Sequence, residues 1–413
     1  MKRKRNRVIS SLLLALLTLS VTVPASAAEQ EDGTEIYKIG VAVYNPEAQE
    51  MKMFMNYYKD YLEEGFPVKF YFSGQISSAE EENTFIKAVK TAGAQGIISF
   101  CGMDVESTVQ VCEENEIPYV LGSNIVSDED YEAVKGSPSF LGSVGPNLNL
   151  VYESGCNMAE HFIEEGGKSF VIMTGGASRG NALHAARTKG MLDVLEEKAG
   201  LVLEKSSEEL ARTEENTALE NEDGTVTVTL CPDYTEEGEG LKNLKAAFEN
   251  GTYDVLMSAF HASTYLDVIS EKEAEQDSNI MVGAIDSFTE TNFEAIKAED
   301  AYGNPKIDYV EGKYASMAGP AFAMLYNAMT GHPEANTPDG QAVQLYQGFW
   351  TAESREKFVE LYGYTTGIYE NAYSCNDLMQ VISVFSEDAS PEALKELTEA
   401  YSVEAVKERI ISQ

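Results

Sequence analysis

From residue 36 onward, short apolar runs alternate with segments of helical period, and that alternation restricts the chain to α/β architectures. Ile36 to Tyr44 reads as a buried strand. Glu50 to Glu64 follows as a helix, with Met51, Phe54, Tyr58 and Leu62 recurring at steps of three and four. Strands at Val68 to Phe72, Gly96 to Cys101 and Tyr119 to Gly122 are separated by helices at Ala79 to Ala94 and Val105 to Asn115. Strands spaced by helices of this length predict βαβ units and parallel sheets with right-handed crossovers.

A second series begins after Pro146-Asn147. It predicts helices at Asn149 to Glu165, Ala182 to Lys198, Glu237 to Asn250, Ser263 to Glu273 and Thr289 to Lys297. Strands fall between them at Ser169 to Thr174, Val226 to Leu230, Val255 to Ala259 and Ile280 to Ile285. Glu204 to Gly224 is polar and acid-rich and reads as a surface insertion. Beyond it lie a long apolar helix, Tyr314 to Met329, a strand, Gln344 to Trp350, and a helical tail. The expected organisation is two Rossmann-like α/β lobes. Residues 28–147 form the first, completed by about 310–353, residues 148–309 form the second, and a helical C-terminal extension covers 354–413. The first part of that tail is expected to dock on the first lobe, and the stretch from Pro391 to Ile411 to lie at the surface as one amphipathic helix.

The first residues carry an address. Lys2, Arg3, Lys4, Arg5 and Arg7 precede an apolar run from Val8 to Val23, and Ala25-Ser26-Ala27 supplies a small-x-small cleavage site. Residues 1–27 therefore read as a signal peptide, and the chain is expected to act outside the cytoplasmic membrane, in the periplasm or beyond the cell. Removing those five basic residues from 30 leaves 25 Lys and Arg against 68 Asp and Glu, a net charge of −43. Such a balance repels nucleic acid and anionic membranes. The five cysteines (Cys101, Cys112, Cys156, Cys231, Cys375) show no CxxC pair or metal-type spacing, and read as small buried hydrophobes.

Catalytic signatures are missing. The loop Gly175 to Gly180 lacks a Gly-Lys-Ser/Thr ending and dinucleotide spacing, and neither His-Glu-x-x-His nor Gly-x-Ser-x-Gly occurs. The expectation is a binding protein, not an enzyme, without cofactor or metal; an exported hydrolase is the minor alternative.

Several segments in order resemble the type I periplasmic binding proteins, specifically the sugar-binding branch serving ABC importers. Ile39-Gly40-Val41-Ala42-Val43-Tyr44-Asn45-Pro46 is similar to that family's first strand and Asn-Pro loop. Gly96-Ile97-Ile98 and Ile117-Pro118-Tyr119-Val120 resemble its third and fourth strands, and Ala185-Ala186-Arg187-Thr188-Lys189-Gly190 its Arg-x-Arg-Gly helix start. Asp254-Val255-Leu256 and Val282-Gly283-Ala284-Ile285-Asp286 are similar to later strands of its second lobe. The resemblance implies a ligand held between the lobes at the strands' carboxyl ends, with Asn45, Arg187 and Asp286 contacting it. By position, Tyr44, Ser123, Asn124, Phe260 and His261 join them. Asp286 also suits the N-cap of the helix near Thr289, and Arg187 a surface ion pair. Three places depart from the family pattern: Glu47-Ala48 replace two aromatics, Ser123-Asn124 replace Asp-Arg, and Phe260-His261 replace Asn-Asp. Tyr44, Phe260 or Trp350 is then expected to supply a stacking face. The implied role is a monomeric solute-binding protein for a small polar ligand, first a sugar, delivered to an ABC permease, with hinges near Pro146 and Tyr309 to Lys313. A nucleoside ligand or a membrane-sensor partner is the alternative, and nucleic acid is no partner.

Overall fold

Thirteen strands sort into two sheets in the computed structural model, which describes residues 35–233, 239–367 and 371–412. The leader assigned to residues 1–27, and residues 368–370 of the tail, lie outside the described residues. Residues Ile36–Gln413 form one compact unit. In chain order the strands are Tyr37–Val43 (β1), Val68–Gln75 (β2), Gly96–Ser99 (β3), Tyr119–Gly122 (β4), Phe140–Gly145 (β5), Ser169–Thr174 (β6) and Thr217–Glu220 (β7). Thr227–Pro232 (β8), Val255–Ser258 (β9), Met281–Ser287 (β10), Tyr309–Lys313 (β11), Val343–Tyr346 (β12) and Trp350–Ala352 (β13) complete the set.

The first lobe carries the order β12-β5-β4-β3-β1-β2, parallel throughout. The second carries β13-β11-β10-β9-β6-β8-β7, parallel except where β7 and β13 run antiparallel at its two edges. Strand order reverses beside β1 in one sheet and beside β6 in the other. Loops leaving neighbouring strands diverge there and open a crevice at their carboxyl ends. The fold thus sets one crevice mouth on each lobe.

Two helices, Leu148–Glu164 and Ala182–Ala199, pack face to face behind the second sheet. Glycine permits the approach. A Cβ at Gly155 would stand 2.0 Å from the carbonyl oxygen of Arg187, and one at Gly190 2.3 Å from that of Tyr152. This close crossing fixes where Arg187 leaves its helix.

Several details differ from the sequence reading. β5 is an extra strand: Phe140 to Gly145 is buried on both faces, so the alternation that marks a half-exposed strand is absent, and two glycines and a serine dilute its apolar signal. Segment 204–224 contains strand β7 and not surface loop alone. The return to the first lobe is shorter than expected. β11 pairs with β10 and β13 with β11, both in the second sheet, so Tyr309 to Lys313 is a strand and not a hinge. The expected strand from Gln344 to Trp350 is two strands, one in each sheet. Up to β13 the chain therefore crosses between lobes three times: between Gly145 and Leu148, after Lys313, and between Tyr346 and Trp350. The second and third crossings lean on each other, the rings of Tyr314 and Trp350 stacking at 3.9 Å.

The tail also behaves differently. Its first helix, Arg355–Gly363, packs on the second lobe, with Phe358 against Phe288 at 4.8 Å and Tyr362 against Phe293 at 4.3 Å. Only afterwards does it reach the first lobe, where the Tyr57 hydroxyl donates to the Tyr373 carbonyl at 2.7 Å. The stretch from Pro391 is two helices, Pro391–Glu399 and Val403–Ser412, which bury Leu394, Thr398, Val403 and Val406. Between them the Tyr401 carbonyl accepts the indole N–H of Trp350 at 2.8 Å. Among the described residues no disulfide joins the cysteines; Cys112 and Cys231 are buried and the others half-buried.

Candidate functional site

The crevice mouths face each other across a cleft of about 870 Å³, within the range of roughly 300–1,000 Å³ common for small-molecule sites. From the first lobe, Tyr44, Asn45 and Gln75 line it beyond β1 and β2, Phe100 and Cys101 beyond β3, and Ser123 and Asn124 beyond β4. Second-lobe lining comes from His184 and Arg187 on helix Ala182–Ala199, Phe260 and His261 after β9, Asp286 in β10 and Lys313 at the end of β11. All eight residues singled out by sequence line this cleft. Trp350 does not: it is 2% exposed and stacked on Tyr314.

Arg187 is the deepest charge. Its Nη1 donates to the carbonyls of Ala259 at 2.8 Å and Ile285 at 3.2 Å, so the guanidinium caps the ends of β9 and β10. It is 8% exposed, and its Nε has no hydrogen-bond partner among the described residues. The Phe349 ring, from the third crossing, lies 5.7 Å from the guanidinium carbon. Burial lowers its pKa to about 10, against the opposing pull of Glu50, Asp286 and Glu311. At neutral pH it is still charged. This is a buried, inward-aimed cation and not the surface ion pair that a helix arginine commonly makes.

Asp286 does not cap the next helix. Thr289 does, its hydroxyl accepting from the Asn292 amide at 3.3 Å. The Asp286 carboxylate instead accepts from the side-chain amide of Asn292 at 2.7 Å, and the residue lines the cleft. Burial raises its pKa; Asn292 and His261 work against that rise. A carboxylate and a guanidinium facing one cavity can each form charge-assisted hydrogen bonds to ligand hydroxyls.

Phe260 is buried and has the His184 ring 5.1 Å away and the His261 ring 5.7 Å away. Burial, with Arg187 next, drives the His184 pKa down to about 3, so this imidazole stays neutral. The three rings give the second-lobe wall an aromatic patch suited to the flat apolar face of a sugar ring or a nucleobase.

The first-lobe wall is built from turns. Asn45 Oδ1 accepts from the Glu47 amide at 3.0 Å and Asn124 Oδ1 from the Ile125 amide at 3.0 Å, so each side chain shapes its own loop. Ser123 holds φ of 57°, which turns the chain sharply after β4. Behind the loop after β3, Ser99 Oγ donates to the buried Glu82 carboxylate at 2.6 Å and accepts from the Cys101 amide at 3.0 Å.

Three charged residues of the cleft are absent from the sequence-based set: Glu47, which pairs with Lys52 at 3.0 Å, and Glu50 and Lys313, which pair with each other at 3.1 Å. Glu50 reads in sequence as the first residue of an amphipathic helix. Its partner lies 263 positions away, so no local pattern announces it.

Solved structures share this architecture. A galactofuranose binding protein matches with a TM-score of 0.57 at 13% identity, over 80% of this chain and 99% of its own. An ABC transporter solute binding protein from Bacillus halodurans, with bound myo-inositol, matches with a TM-score of 0.54 at 14% identity, over 79% and 97%. The chain has the type I periplasmic binding protein fold. Transcription regulator CcpA of Lactococcus lactis shares the fold too, with a TM-score of 0.51 at 12% identity over 78% of this chain and 99% of its own. The type I fold alone therefore does not choose between capture and regulation. No family model matches the sequence, and neither does any curated protein. Among the described residues, no helix is long and apolar enough to cross a membrane, and no group of His, Cys, Asp and Glu could hold a metal ion.

Proposed function

We propose that this protein is an exported solute-binding protein that closes its two lobes over a small, uncharged polyhydroxy ligand, a monosaccharide or related polyol, and delivers it to an ABC permease. The observation that carries the reading is the meeting of Arg187 and Asp286 with Tyr44, Asn45, Ser123 and Asn124 across one cleft at both switch points. Such a cleft offers charged groups for hydroxyls and an aromatic patch for a ring face. The balance of charge favours an uncharged ligand. Lys313 is neutralised by Glu50, Glu47 at the rim pairs with Lys52 at 3.0 Å, and Arg187 and Asp286 offset each other. A net charge on the ligand would be desolvated without a free partner. The signal-type leader and the acidic surface fit export and argue against a nucleic-acid partner.

A nucleoside is the second reading, favoured by the Phe260 patch with its flanking imidazoles. Thermal-shift screening against sugars, inositols, nucleosides, amino acids and sugar acids separates the two. A ligand that binds only the folded form raises the melting temperature as its concentration passes the dissociation constant. Stabilisation by sugars or inositols supports the first reading. Stabilisation by nucleosides alone replaces the ligand and keeps the binding role, and response to none of the panel contradicts both.

A further inference from the structure

We infer that Glu50 is the positioning residue that holds the two lobes together at the back of the cleft, so that the ligand-free protein is already drawn toward its closed form. The inference rests on the proposed reading that the cleft opens and closes. Glu50 is the second residue of helix Gln49–Asn56 in the first lobe. Two of its partners belong to the other lobe: Ser287 Oγ donates to Oε2 at 2.9 Å, and Lys313 Nζ donates to Oε1 at 3.1 Å. Ser287 and Lys313 are paired in register at the ends of β10 and β11, so they present two donors side by side on one rigid edge. The third partner is the first lobe's own Tyr44 hydroxyl, at 3.4 Å from Oε1. Among the described residues this is the one ion pair that joins the strand ends of one lobe to the cleft-side helix of the other.

The surroundings favour the charged form of Glu50. Burial alone would raise its pKa, but Lys313, Ser287 and Arg187 together hold it below the ordinary glutamate value. Its place in the first turn of a helix adds the favourable field of the helix N-terminus. Lys313 and Glu50 side chains are 14% and 22% exposed, so water and salt screen the pair less than a surface pair. Ser287 and Lys313 are in-register neighbours on one sheet edge, so a lobe separation that draws one off Glu50 draws off the other as well. Ligand contacts through Arg187 and Asp286 then add to a closure that Glu50 has already biased.

Small-angle X-ray scattering of the full chain without ligand tests this. Glu50→Gln is expected to enlarge the radius of gyration relative to wild type. Lys313→Met, which acts from the other lobe, is expected to do the same, and the exchanged pair Glu50→Lys with Lys313→Glu to recover part of the compaction. Circular dichroism and thermal melts establish that each variant is folded. Scattering identical to wild type in both folded single variants overturns the inference, and it does so whether or not the thermal-shift panel yields a ligand. Enlargement in Glu50→Gln alone also overturns it, because the bridge needs both ends.

Discussion

The two walls of the cleft are built by different means. On the second-lobe wall, functional side chains are held in place: Arg187 by the carbonyls at the ends of β9 and β10, and Asp286, itself in β10, by Asn292 of the following helix. On the first-lobe wall, Asn45 and Asn124 use their side-chain oxygens to fold their own loops. A wall anchored to strands holds its charges in position before a ligand arrives. A wall of turns contributes shape, remaining donors and ring faces. The difference teaches that affinity should depend unequally on the two lobes, with the charged second-lobe wall dominating.

The largest expected effect is at Arg187. Arg187→Ala should weaken ligand binding by about 1.5–3 kcal/mol, the usual worth of a hydrogen bond to a charged group. It should also lower the melting temperature, since two strand-end carbonyls lose their shared donor. Titration calorimetry on the folded variant reads the first effect and a thermal melt the second. Asp286→Ala comes next, at about 1.5 kcal/mol of binding by the same reasoning, with Asn292 also losing an acceptor. Asn45→Ala should cost about 0.5–1.5 kcal/mol, the net worth of a neutral hydrogen bond. If Asn45→Ala weakened binding more than Arg187→Ala, the contrast between the walls would be reversed.

Part of this layout is legible in sequence because the carboxyl end of a strand is a local feature. The apolar run Ile39 to Val43 followed by Tyr44-Asn45, and the run Val282 to Ile285 followed by Asp286, mark strand ends, and the resemblance to the type I binding proteins is what implies that these ends face a ligand. What escapes is whatever depends on distant partners. Glu50 looks like a solvated helix residue until Lys313 and Ser287 meet it. Strand β5 escapes because Gly142, Ser143 and Gly145 dilute its apolar run, and burial on both faces leaves no alternation to mark it instead. The tail's docking on the second lobe escapes because Phe358 and Tyr362 at helical spacing say that a face is apolar, not which lobe covers it.

The smallest effect concerns the support behind the first-lobe wall. Glu82 is fully buried; burial raises its pKa, while hydrogen bonds from Ser99 and Tyr119 pull it back. A carboxyl raised on folding binds its proton more tightly in the folded chain than in the unfolded one. Stability then falls as pH rises from the ordinary glutamate range through the raised value. Glu82→Gln has no proton to lose there. The melting temperature of wild type relative to Glu82→Gln should therefore decline as pH increases across that window. A difference that stays constant with pH would show that Glu82 titrates alike in both states, and that the loop before Cys101 carries no such cost.

The most direct test of the central claim, a ligand gripped between the lobes by the charged second-lobe wall, is calorimetric titration of wild type, Arg187→Ala and the surface control Glu81→Ala. The titrant is the sugar or polyol that most stabilises wild type in the thermal-shift panel. The account predicts one site per chain in wild type, unchanged affinity in Glu81→Ala and an affinity at least about tenfold lower in Arg187→Ala, the factor that corresponds to about 1.4 kcal/mol. Equal affinity in all three folded proteins would put the ligand somewhere other than this cleft.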